Sequence, residues 1–154
     1  MHSTREQWLN HLAQLLQPHF ARAGFPLPPN IRFSCGWPGA GDRRTREGEC
    51  WHTSASADRS FEIFVSPSVS DPLHVADILI HELCHAAVGV DAGHGSLFRR
   101  CALAVGLAGK MRSTVLSPAL QERHTALLAD SGPYPTRNST QRIAPPRKTA
   151  PGSS

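Results

Sequence analysis

Three absences narrow the reading before any motif is weighed. No apolar stretch runs uncharged for the roughly 20 residues that a bilayer core demands. The most apolar one, Val75 to Val88, is broken by Asp77, His81, Glu82 and His85, which excludes it as a membrane span. The polar opening Met1-His2-Ser3-Thr4-Arg5-Glu6 has no apolar centre of the secretory kind, so a cytoplasmic location is expected. The second absence is any Cys-x-x-Cys pair. Cys35, Cys50, Cys84 and Cys101 are spaced like neither a zinc ribbon nor a small secreted disulfide framework, and free thiols are expected.

The third absence is local. Residues 131–154 hold no acidic side chain, while Arg137, Arg142, Arg147 and Lys148 give them the whole formal charge of +4. The other 130 residues balance to zero, so the folded part is not a basic nucleic-acid surface. Pro133, Pro135, Pro145, Pro146 and Pro151, set among Ser, Thr and Gly, leave too little apolar surface for a core, and 131–154 is expected to be a disordered tail. It is either a plain solvated tail or a weak electrostatic contact for DNA or RNA. One domain over residues 1–130 is expected.

What is present is helical patterning around a motif. Ser3-Thr4-Arg5-Glu6 has the form of a capping box, and Trp8, Leu9, Leu12, Leu15, Leu16 and Phe20 recur at helical spacing until Gly24. Ile31, Phe33 and Cys35 alternate as a short strand. Residues 36–48 read as a loop carrying Arg43, Arg44 and Arg46. Two strands, 48–53 and 60–66, are expected to form a hairpin with one edge free for an extended substrate. Asp71-Pro72 is a helix start, an N-cap residue followed by proline at the first helical position. A second helix is expected from Leu97 to about Leu107, and a third from Ser117-Pro118 to about Ala129, where His124 reads as a surface or packing residue.

Within the helix after Pro72 lies His81-Glu82-Leu83-Cys84-His85. Histidines four apart are offset by only about 40° around a helix, one turn above one another, so both imidazoles reach one ion. Glu82, about 100° from His81, suits a general base better than a ligand. Gly89 and Asp91-Ala92-Gly93 let the chain turn back and return His94 as a third ligand. Three neutral imidazoles leave one corner of a tetrahedral zinc to water, the pattern of a catalytic rather than a closed structural site. Cys84 reads as a small buried apolar side chain, although it lies near enough to approach the metal. Asp77, one turn before His81, is a candidate to orient that imidazole.

HELCHAAVG followed by GHGSLF resembles the SprT-like zinc metallopeptidases, the family that includes Spartan. His81, Glu82 and His85 fall on the family's helix motif and His94 on its third-ligand segment, over roughly residues 5–116. Gly106-Leu107-Ala108-Gly109-Lys110-Met111 is similar to a segment of small phage and bacterial members that lack the zinc ribbon. The resemblance implies an α+β fold, a minimal zincin-like domain whose active-site helix packs on a small, mostly antiparallel sheet with flanking helices. It implies one catalytic Zn2+ and hydrolysis of peptide bonds in a protein or peptide substrate. For the oxyanion donor the residues themselves offer the loop arginines Arg43, Arg44 and Arg46 and Tyr134, and no spacing selects one. Two other functions fit the same residues: a zinc hydrolase of a non-peptide amide, and a catalytically silent zinc-stabilised module that binds nucleic acid or protein.

Overall fold

The computed structural model describes residues 1–37 and 46–136. Helix α1, Arg5–Arg22, begins one residue later than the capping-box pattern suggested. Thr4 is the N-cap and Gln7 closes the box, leaving Glu6 free to accept a hydrogen bond from Cys35 N at 3.0 Å. Trp8, Leu9, Leu12, Leu16 and Phe20 are fully buried, as their spacing required.

Strands β1 (Ile31–Cys35), β2 (Gly48–Trp51) and β3 (Phe61–Val65) form one sheet in the order β1-β3-β2. The β2/β3 hairpin is antiparallel, Gly48 facing Val65 and Trp51 facing Glu62. β1 joins the other side of β3 in parallel, so the sheet is mixed rather than mostly antiparallel. Alternation turns Phe33, Cys50, Ile63 and Val65 onto the helices. β1 and β2 are both edges, and β2 is the one beside helix α2 in the site described below.

Helix α2, Pro72–Val88, starts at Asp71, whose Oδ2 accepts from His74 N at 2.8 Å, and ends at Gly89 with φ of 92°. Nearly every interior position of α2 is buried, which makes it the central helix of the molecule. A 3-10 turn, Val90–Ala92, leads through Gly93 into α3, Ser96–Val105. Gly95 rather than Ser96 is the N-cap of α3, and the helix ends at Val105, two residues short of expectation, because Gly106 adopts the left-handed conformation. Leu107–Lys110 (β4) and Ser113–Leu116 (β5) then pair as an antiparallel hairpin that the sequence analysis did not anticipate. Helix α4, Pro118–Ser131, capped by Ser117, completes the fold, with His124 wholly buried and its Nδ1 donating to Leu120 O. The architecture is α+β, four helices around two small sheets. Among the described residues no helix is long and apolar enough to cross a membrane.

Packing continues past residue 130. Tyr134 is 3% exposed, edge-on to Trp8 with ring centroids 4.9 Å apart, and Arg5 lies over its ring. Arg5 Nε also donates to Pro135 O, and Trp8 Nε1 to Gly132 O. The start of the expected tail is therefore strapped to α1, while its remainder, 137–154, lies outside the described residues. Tyr134→Ala should lower unfolding free energy by about 3 kcal/mol, the usual cost of truncating a buried aromatic ring. Urea denaturation measures it, and an unchanged midpoint would mean that the strap contributes nothing.

Candidate metal centre

Helix α2 presents His81 and His85 on one face, and the Gly89-to-Gly93 turn brings His94 back over them. Both glycines have positive φ, 92° and 55°, which a side chain would oppose. His94 Nε2 lies 3.2 Å from His81 Nε2 and 3.2 Å from His85 Nε2. All three ligand atoms fall within 4.8 Å of one another.

The donor set fits a metal ion. With Nε2 turned inward, His81 Nδ1 carries the proton and donates it to Thr114 Oγ1 at 2.7 Å. Its inward nitrogen is then a bare lone pair. Two such nitrogens 3.2 Å apart need a proton or a cation between them, and three nitrogens about 2.0–2.1 Å from a tetrahedral zinc would stand about 3.3 Å from each other. The spacing in the protein is that of a coordination edge. His81, His85 and His94 could hold a metal ion. Burial pushes the His81 imidazole down to about 4 and that of His85 to about 3, with neighbouring histidines adding to the shift, so both are neutral ligands at pH 7.

Phe98, on the first turn of α3, forms the floor. Its fully buried ring has centroid distances of 5.0 Å to His81, 4.4 Å to His85 and 5.0 Å to His94. Phe98 was not among the residues expected at the site, although its place in the helix just after His94 was a usable signal. Thr114 had no such signal, since it reaches His81 across 33 residues from the unexpected hairpin. Asp77, the expected orienting group, takes no part: its buried Oδ1 has no partner among the described residues, and burial raises its carboxyl to about 6. Cys84 also stays away from the imidazoles, hydrogen-bonded to Cys101 of α3, and all four thiols are free.

Glu82 is 7% exposed and faces strand β2. A Cβ on Gly48 would lie 2.9 Å from Glu82 Oε1 and 2.5 Å from Ile78 Cγ2, so only glycine lets the strand pass over the carboxylate. Burial first, then the nearby Glu49 charge, drives the Glu82 carboxyl up to about 8, against the opposing pull of Arg46. The three histidines and Glu82 open into a cleft of about 710 Å3. One wall is β2 with Arg46 and Glu47, and the other is the β4–β5 hairpin from Arg112 to Val115. Of the expected oxyanion donors, Tyr134 is packed against α1 and does not line the cleft, Arg46 pairs with Glu49 at 3.0 Å, and Arg43 and Arg44 lie outside the described residues.

Compared with protein families, curated proteins and solved structures, the chain finds no match.

Two outcomes follow from this geometry. Thr114→Val keeps the volume but removes the acceptor for His81 Nδ1, and zinc affinity measured by chelator competition should fall about 10- to 100-fold. In the metal-free protein the folded His81 and His85 pKa values lie below the ordinary 6.5, so their contribution to stability is present above about pH 6.5. It is lost as pH falls toward 3, because the unfolded chain binds the protons first. Urea unfolding across that range should show the decline, and His81→Phe should flatten part of it.

Proposed function

We propose that this chain is a zinc-dependent metallopeptidase of the SprT-like kind, acting in the cytoplasm on extended stretches of protein. The observation that carries the reading is the convergence of three imidazole nitrogens, at coordination spacing, beside a buried carboxylate in an open cleft. Bound by His81, His85 and His94, zinc would supply Lewis acidity, making a water more acidic and a carbonyl more electrophilic.

The protein's own groups supply the rest. Glu82 takes the proton from the attacking water and passes it to the departing amine. Its carboxyl, raised by burial, is more basic than an exposed one, and a nearby cation would draw the value back toward neutrality. Edge strand β2 would receive substrate as an added strand, with backbone pairing holding the scissile bond across the cleft. Phe98 and Thr114 keep the ligand imidazoles from turning.

A silent zinc-stabilised module accounts for the histidines but not for Glu82. Burying a carboxyl without an ion pair is costly, and a purely structural site has no need of it or of the bare backbone at Gly48. An amide hydrolase acting on a small molecule is less favoured by a cleft walled along one side by a strand edge. Contact of the 137–154 segment with DNA or RNA would be an addition to this activity.

Glu82→Gln should retain one zinc per chain while casein cleavage drops at least 100-fold, the lower range for losing an acid–base group. His94→Ala should lose the metal itself. Metal content by mass spectrometry and cleavage assayed on the same preparations decide the matter, and undiminished cleavage by the Gln variant would remove Glu82 from the role of base. Adding single-stranded DNA to the same assay tests the nucleic-acid contact.

A further inference from the structure

We infer that Arg112 is the group that stabilises the oxyanion, an inference that rests on the metallopeptidase reading above. Thr114 lies on β5 with its hydroxyl against His81, so that face of the strand looks onto the metal centre. Arg112, in the turn between β4 and β5 and two residues before Thr114, lines the same cleft as the three histidines. Its positive charge is felt at His94.

The guanidinium is also uncommitted. Among the described residues it has no hydrogen bond and no ion pair, whereas Arg46 across the cleft is engaged by Glu49. The two walls thus carry opposite chemistry. On the β2 side Glu82 lies under Gly48, and on the hairpin side Arg112 stands in the turn that leads into the strand whose Thr114 is bonded to His81. A peptide carbonyl between them would have the base toward one wall and a forked cationic donor toward the other. Attack places negative charge on the carbonyl oxygen, and Arg112 gains most in that state because the neutral carbonyl of the bound substrate attracts it less. The hairpin that makes this possible begins with Leu107 immediately after left-handed Gly106, where α3 is forced to stop.

The test uses Arg112→Met and Arg112→Lys in the zinc-loaded full chain, with a quenched-fluorescence peptide built on a cleavage site mapped in casein. Arg112→Met should lower kcat about 100- to 1000-fold, as for other lost oxyanion donors, with KM and zinc content little changed. Arg112→Lys should retain part of the rate, and added guanidinium chloride at millimolar concentration should partly restore the Met variant. Calorimetry adds a readout other than turnover: a phosphinic peptide of the same sequence, which mimics the tetrahedral anion, should bind the Met variant more weakly by a similar factor. Unchanged kcat and phosphinic affinity in Arg112→Met, with the wild type active, overturn this assignment alone. A loss confined to KM overturns it too, marking Arg112 as a contact for the resting substrate. No cleavage by the wild type overturns the metallopeptidase reading and this inference with it.

Discussion

Three imidazole nitrogens are gathered within 4.8 Å of one another, His94 Nε2 standing 3.2 Å from both of the others, and the rest of the molecule is arranged to keep them there. Two come from consecutive turns of one helix, which is a local matter. The third is imposed by a turn whose glycines take backbone angles that side chains resist. Phe98 then fills the space below all three rings, so none can tip inward without displacing a packed aromatic ring. The α2–turn–α3 unit is therefore at once the centre of the core and the frame of the site. Most of α2 is buried, and its ligands inherit that rigidity.

Burying polar groups in a core has costs, and they are visible. Among the described residues Glu82 is nearly sealed from water without an ion pair, His85 Nδ1 is buried without a partner, and so is one oxygen of Asp77. These three groups lie on α2 and line the cleft. The surrounding apolar packing of α1, β3 and α3 offsets them, and the strap from Gly132 to Pro135 extends that packing across the outer face of α1. Burial that lowers the imidazole pKa values and raises that of the carboxyl acts in both cases by disfavouring charge, so one apolar setting keeps the three imidazoles neutral and makes the Glu82 carboxylate more basic.

Some parts of this were legible in the residues and others were not. The α1 stripe, the Asp71-Pro72 start, the β2/β3 hairpin and the His81, His85, His94 set all depend on contacts within about a dozen positions, where helical period, cap chemistry and glycine placement act directly. The β4–β5 hairpin was missed because Leu107-Ala108-Gly109-Lys110 lacks β-branched residues and continues an apparently helical run. Its strand pairing comes from tertiary surroundings that override weak propensity. Asp77 was a reasonable partner for His81 by helical spacing, yet a threonine on a neighbouring hairpin occupies that place. Tyr134 looked like tail because its flanking residues are Pro, Gly and Ser, and its burial depends on Trp8 and Arg5 at the other end of the chain.

Order along the chain thus accounts for which atoms could share an ion: a four-residue interval on a helix sets two imidazoles together, and a glycine turn is the cheapest way to add a third. It is silent on what confines and complements them. That Phe98 underlies the rings, that Gly48 clears room for Glu82, and that Thr114 and Arg112 arrive from the far wall are consequences of how α2, β2 and the hairpin meet. Those meetings are set by burying apolar faces across long separations, a property of the assembled core that no local interval encodes.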